Sequence, residues 1–348
     1  MRRTLLLSLA FLIFLLTVGA VVVVNEFLVF IETPYRGYAG NEVFIDIKTG
    51  DSTQAIAQNL ADSGVVSDEW TFRLAVWRSG LDRNLQAGEY HFVDPLSAMD
   101  VVKKIGTGQI YLRSITFPEG LTIEEMSKIF EIQDFGSADA FVEAAQRVEL
   151  IAEFDTDALN LEGYLFPETY SLPQDATADD LINAMVTQFR EVFHEELRKM
   201  AQRKEMSIRD VVILASLIQK ETGAANEHGL VAAVYNNRLR IGMPLQCDPT
   251  VIYSLQLDGI YDGNLSRADL KYDSPYNTYR YSGLPPGPIA APGQAVIEAA
   301  LNPDDVSYLY FVSRNDGSHE FAHTLREHNR NVQRYQVEYF RRGRARKN

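Results

Sequence analysis

The residue with the clearest chemical potential is Glu221, which lies near the end of the segment VVILASLIQKETG at 211–223. Val211 to Ile218 carry no charge, so the pattern predicts a helix buried on most sides. Ile218 and Leu214, three and seven residues earlier, share a stripe with Glu221. The glutamate therefore leaves the apolar face of a core helix, where an ionised carboxylate is costly. Gly223 is placed to end the helix as a left-handed residue, which puts Glu221 at the negative end of the helix dipole. Burial and dipole both push a carboxyl pKa upward. An acid kept protonated near neutral pH is suited to breaking a glycosidic bond. A glutamate turning out to solvent, or pairing with Lys220 or an arginine, fits the same spacing.

Two further regions carry polar and aromatic residues in a pattern suited to sugars. In LEGYLFPETY at 161–170, Glu162 and Glu168 are interleaved with Tyr164, Phe166 and Tyr170. Rings beside carboxylates suit a groove in which pyranose faces stack, and they equally suit a packed loop with surface acids. Between Leu245 and Pro292 the chain is crowded with Pro, Gly, Asn, Tyr and Asp. Long ordered loops of this kind are commonly functional. Gln246, Asp248, Thr250, Asn277 and Thr278 supply hydrogen-bonding groups there beside Tyr276, Tyr279 and Tyr281. The same residues are also turn formers. Cys247 reads as a small buried hydrophobe rather than a nucleophile.

Composition narrows the alternatives. The 348 residues hold 33 basic and 47 acidic side chains, a formal net charge of −14, which disfavours nucleic acid as a partner. One cysteine excludes an intramolecular disulfide and a cysteine-based zinc site. His319, His323 and His328 have irregular spacing, no HExxH pair occurs, and no Gly-rich nucleotide loop is present, so no metal or cofactor is expected.

The elements that must position these groups begin after an N-terminal apolar run. Thr4–Val24 is uncharged over 21 residues, about 30 Å as a helix, and follows Arg2 and Arg3. This predicts a retained transmembrane anchor over 4–24 with residues 1–3 cytoplasmic and the rest exported. A cleaved signal would have a shorter apolar core and an A-x-A-like site. Residues 25–40 read as a linker. From there a strand at Val43–Ile47 and a helix opened by Asp51 and Ser52 are expected. A second helix capped by Ser67 would turn Trp70, Leu74 and Trp77 inward. A strand at Ala87–Val93, a helix over Ser97–Ile105 and a strand at Ile110–Phe117 complete a small α+β module. Beyond Gly120 the pattern is mainly helical, over Thr122–Phe130, Ala138–Leu150, Ala178–Lys204 and Ser207–Thr222. A strand at Tyr308–Val312 and a basic terminal helix follow. The fold class is α+β.

At FPEGLTIEEM (117–126), EGYLFPETY (162–170), ILASLIQKET (213–222), YNNRLRIGMPLQCDPTVIY (235–253), YNTY…GLPPGPIAAPG (276–293) and YLYFV (308–312), the chain resembles the MltG (YceG-like) family of endolytic murein transglycosylases. The resemblance implies a membrane-anchored enzyme of the cell inner membrane, single-pass, with most of the chain periplasmic. It also implies a LysM-like module over 41–117 and a catalytic domain over 118–348. Its substrate would be peptidoglycan glycan strands, cut internally to leave 1,6-anhydro-MurNAc ends, and its partners peptidoglycan synthases and elongation or division proteins. The family's catalytic glutamate, the second acid of its EKE[TA] motif, falls on Glu221. Gln219 replaces the first acid, and lies about 200° around the helix from Glu221. Glu221 would protonate the bridging oxygen and then take the proton of the MurNAc C6 hydroxyl. A muramidase using Glu162, Glu168 or Asp248 as a second carboxylate, and a non-catalytic peptidoglycan-binding scaffold, are the alternative readings.

Overall fold

The computed structural model describes residues 2–339 and 341, with the side chains of residues 2–10, 20, 23 and 24 outside the description. The chain divides into two compact units, Met1–Arg113 with Ser171–Asp175, and Ser114–Tyr170 with Ala176–Asn348.

The first unit opens with α1 (Arg2–Glu32). The anchor expected over 4–24 falls in α1 and partly on side chains outside the description; among the described residues no helix is long and apolar enough to cross a membrane. Next come β1 (Val43–Ile47), α2 (Thr53–Asp62), α3 (Glu69–Ser79), β2 (Gly88–Phe92) and α4 (Ala98–Gly106). β1 and β2 pair antiparallel with Ile45 opposite Tyr90. Alternation puts Ile45, Ile47, Tyr90 and Phe92 on one buried face, against Ile56 and Leu60 of α2, Phe72 and Val76 of α3, and Val101 and Ile105 of α4. Ser52, Asp68 and Ser97 cap the three helices by accepting from backbone N–H groups three residues on.

Two expectations for this unit are corrected. Asp68, not Ser67, caps α3, and Trp70 and Trp77 are 74% and 76% exposed. The seven-residue spacing does put both rings on one side of α3, but Phe72, Ala75 and Val76 form the face that packs on α2 and α4. Small Ala75 allows a close approach that two indoles on the inner face would prevent. The strand expected at Ile110–Phe117 is only β3 (Arg113–Thr116), and its partner is β4 (Thr169–Leu172) rather than β1 or β2. Thr116 and Thr169 share a hydroxyl hydrogen bond of 2.8 Å, and the Phe117 N–H donates to the Glu168 carbonyl.

The second unit holds α5 (Ile123–Ile132), α6 (Ala138–Ala144), α7 (Ala178–Val192), α8 (Glu195–Arg203), α9 (Ile208–Glu221) and α10 (His228–Arg240). After these come α11 (Asp248–Leu257), α12 (Gln294–Leu301), β5 (Tyr310–Ser313), β6 (His319–Ala322) and α13 (Leu325–Val332). The single helix expected over Ala178–Lys204 is two. Phe193 leaves helical geometry and is buried against Phe189 and Phe154, so tertiary packing breaks the helix where no Gly or Pro does. β5 forms an antiparallel hairpin with β6, a strand absent from the sequence reading. At the centre is α9, with all of Val211–Ile218 buried and α8, α10, α11 and α12 packed around it. Its start is a reciprocal capping box between Ser207 and Asp210.

Gly163 shows why a motif residue is needed for packing. It has φ +82°, and a Cβ there would lie 2.4 Å from the Pro288 Cβ and 3.0 Å from Val212 on α9. Backbone strain costs about 1–2 kcal/mol, and overpacking typically about 1–3. Gly163→Ala is therefore expected to lose at least about 2 kcal/mol in a urea titration; an unchanged midpoint would contradict this packing.

Candidate functional site

α9 ends because Thr222 is extended and buried, with φ −142° and ψ 131°. Its hydroxyl accepts from the Ala224 N–H at 3.1 Å and donates to Glu227 at 3.4 Å. Gly223 is not in the left-handed region, so the expected glycine stop is replaced by this side-chain-held turn. The turn leaves Glu221 on the last turn of α9, its Oε1 accepting from the Tyr235 hydroxyl of α10 at 2.8 Å. The buried Cys247 thiol adjoins the carboxyl.

Burial pushes the Glu221 carboxyl upward, opposed by the Tyr235 hydrogen bond and the adjoining Cys247 thiol, helped by the charge of Asp248, and opposed by His319 whenever that ring is protonated. Burial likewise pushes the Tyr235 hydroxyl and the Cys247 thiol well above their ordinary values. Both partners are thus neutral, and no cation among them holds Glu221 ionised. A proton donor in an apolar wall is the chemical result.

Glu221 opens into a cavity of about 540 Å³, which Gln246, Asp248 and Tyr279 also line, with Arg238, Tyr310, Phe311, His319 and His328 across it. The Tyr279 hydroxyl donates to Asp248 Oδ1 at 2.5 Å. Arg238 is spent on the scaffold: its Nε donates to the Leu309 carbonyl at 2.7 Å and its Nη1 to the Leu245 carbonyl at 2.6 Å. These bonds tie α10 to the strand entering β5 and to the loop before α11. Behind the cavity wall, Thr278 Oγ1 accepts from the Cys247 N–H at 3.0 Å and lies 2.9 Å from Thr250 Oγ1. Asn277 donates to the Leu270 and Tyr272 carbonyls and accepts from the Tyr279 N–H.

Of the residues singled out in the sequence, Glu221, Gln246, Asp248 and Tyr279 meet at one cavity. Thr250, Asn277 and Thr278 lie buried in its support. Glu162, Tyr164, Glu168 and Tyr170 are not brought to it. Glu162 sits at the start of α5, accepting from the Ile123 N–H at 3.2 Å and the Tyr253 hydroxyl at 3.3 Å, beside a separate cavity of about 520 Å³. The buried Tyr164 donates to Asp155, which also pairs with Arg209 at 2.5 Å. Tyr170 donates to the Phe166 carbonyl, and the exposed Glu168 accepts from the Thr169 N–H. Both tyrosine rings are buried and offer no stacking face. Gln219 turns to the Gly293 N–H at 3.0 Å, away from the Tyr235–Glu221 bond. Tyr235, Arg238 and Glu227 were not singled out, and His319 was weighed only as a metal ligand; only the motif spanning 235–253 pointed toward Tyr235 and Arg238. Among the described residues no group of His, Cys, Asp and Glu is disposed to hold a metal.

Residues 45–334 match the YceG-like family. An endolytic murein transglycosylase of Bacillus subtilis is 34% identical over 313 residues, 84% of each chain. One from Streptococcus pneumoniae is 29% identical over 83% of this chain, which spans 58% of that relative's length. The crystal structure of a putative yceG-like protein from Listeria monocytogenes superposes with a TM-score of 0.58 at 31% identity, covering 84% of this chain and 99% of that one.

Glu162 makes a stability test possible. Burial, opposed by its hydrogen bonds, raises its carboxyl from 4.5 to about 7. The folded chain therefore keeps this proton after the unfolded chain has lost it, so stability falls as pH rises from 4.5 to about 7 and is level above. The loss amounts to about 3 kcal/mol. Glu162→Gln is expected to remove that slope in urea titrations at pH 4.5 and 8, leaving only the decline of the same sign that Glu221 contributes. An unchanged slope would mean that Glu162 is ionised in the folded chain.

Proposed function

The chain belongs to the YceG-like family, and from that premise we propose that it is an endolytic murein transglycosylase, a lyase that cuts peptidoglycan glycan strands. The observation that carries the reading is Glu221: a carboxyl favoured in its protonated form, fixed by Tyr235, facing a cavity large enough for sugar rings.

In this reading Glu221 gives its proton to the oxygen between MurNAc and GlcNAc. Positive charge develops at C1, and the C6 hydroxyl of the same MurNAc closes on it to form the 1,6-anhydro ring. The nucleophile belongs to the substrate, so a second carboxylate is not required. That agrees with the geometry, since Glu162 and Glu168 lie outside the cavity and Asp248 is bonded to Tyr279. Gln246, Asp248 and Tyr279 are placed to hydrogen-bond the sugar.

The strand–helix–helix–strand order of β1, α2, α3 and β2 supports a LysM-like module. Trp70 and Trp77 line a groove of about 800 Å³ with Ser52 and Asp82, and exposed indoles offer stacking faces to pyranose rings. The uncharged run Thr4–Val24 after Arg2 and Arg3, within a 31-residue helix, supports a single-pass inner-membrane anchor with the catalytic unit outside the cytoplasm. Peptidoglycan synthases and the elongation or division proteins are the protein partners that such a placement suits.

Glu221→Gln keeps shape and hydrogen bonding but has no acidic proton. It is expected to lower release of anhydro-muropeptides by roughly 10²–10⁴-fold, with folding and glycan binding retained. Mass spectrometry of products from purified sacculi checks this, and products carrying oxygen from labelled water would instead establish hydrolysis. For the anchor, a C-terminal alkaline phosphatase fusion should be active and remain with membranes after a high-salt wash; recovery of a soluble chain beginning near Val21 would identify a cleaved signal.

A further inference from the structure

The lytic reaction must move two protons, one to the departing oxygen and one from the C6 hydroxyl. Glu221 accounts for the first. The same cavity is lined by a second titratable group, held in place by a carboxylate.

His319 opens β6 and lines the cavity that contains Glu221. Its Nδ1 lies 2.6 Å from Glu227 Oε2, and its backbone N–H donates to the other oxygen, Oε1, at 2.8 Å. Glu227 is itself 5% exposed and also accepts from Thr222, the residue that ends α9. Phe311 stands edge-on to the imidazole at 5.4 Å. The ring is therefore fixed by a carboxylate on one nitrogen, which sets Nδ1 as the protonated one and leaves Nε2 as an acceptor. The other charged or titratable groups at the cavity are Arg238 from α10, Asp248 at the start of α11, Tyr279, Tyr310 and His328 from α13, while Cys247 and Tyr235 touch Glu221 directly. Of these, Arg238 is tied to backbone carbonyls, Asp248 and Tyr279 bond each other, and His328 has a buried Nδ1 without a partner. Of the two histidines described at the cavity, His319 is the one with a carboxylate on its ring nitrogen.

We propose that His319, oriented by Glu227, is a second proton-transfer residue, accepting the C6 hydroxyl proton at Nε2 while Glu221 protonates the leaving oxygen. The inference rests on the lytic reading. The bond from C1 to the bridging oxygen breaks with its electron pair on that oxygen, which takes the Glu221 proton. An O6 lone pair forms the new C1–O6 bond, and the O6 proton passes to His319. The cycle leaves a carboxylate and an imidazolium, and one proton returned between them through solvent restores both. Glu227 is a positioning residue, since it acts only through the ring.

The test uses the full chain in detergent with purified glycan strands. His319→Gln is expected to lower kcat roughly 10²-fold with KM within about threefold, to lose the acid-side limb of the kcat profile, and to keep glycan binding. Glu227→Gln should lower kcat less, and added imidazole should partly restore His319→Ala. A His319→Gln enzyme with near wild-type kcat and the acid-side limb intact would overturn the proposal and return both transfers to Glu221. Should the variants fail to fold by circular dichroism, the wild-type profile decides: absence of an acid-side limb overturns the assignment. Oxygen from labelled water in the wild-type product would mark failure of the lytic reading itself.

Discussion

A half-buried carboxyl at the end of an apolar helix is the constraint around which the second unit is arranged. The eight buried residues Val211–Ile218 make α9 the centre of that unit, and Glu221 is carried on the same helix to the cavity wall. Its direct partners are a tyrosine hydroxyl and a thiol, both held neutral by burial. An arginine in their place would have kept the group ionised and removed its use as an acid. The neutral donors fix the carboxyl's position while leaving the proton on it.

That arrangement needs rigid loops, because Leu245, Gln246 and Tyr279 bring part of the cavity wall from segments without regular structure. Rigidity comes from buried polar groups that each have a partner. Arg238 binds carbonyls on both sides of the cavity, Thr250 and Thr278 join the turn at Cys247 to the loop at 278, and Asn277 ties that loop to the residues before it. Buried and satisfied, such bonds are costly to break singly and specify one loop conformation. The β5–β6 hairpin is fastened to the turn after α9 through Glu227 and His319, so the ends of one helix and one strand are set against each other by a single carboxylate.

The first unit solves a different problem. A two-stranded sheet and three helices bury Phe72, Tyr90 and Phe92 at their centre, and α3 turns both tryptophans of the chain outward. Arg73 lies over the Trp70 ring at 4.7 Å, which steadies an exposed indole without covering it.

Much of this was legible in the residues themselves. The uncharged run of α9 and the glutamate after it defined the core helix and its acid, because burial and helical spacing are local properties. The helix starts at Ser52, Ser97, Thr122 and Ser207, and the strand–helix–helix–strand order, followed from side chains that act within four residues. Spacing placed Trp70 and Trp77 on one side of α3 but not which side faced inward, since that depends on what packs against the helix. The break at Phe193 and the β6 partner of β5 were likewise decided by distant contacts. The site divided in the same way. Glu221, Gln246, Asp248 and Tyr279 converge at one cavity, whereas Glu162, Tyr164 and Tyr170, similar in type, are used up in buried hydrogen bonds and Glu168 is exposed. Glu227 and His319 are 92 residues apart, and no local pattern links them. Residue type and short spacing fix what a group can do; the company it keeps across the chain is set by tertiary packing, which alone decides whether it does it.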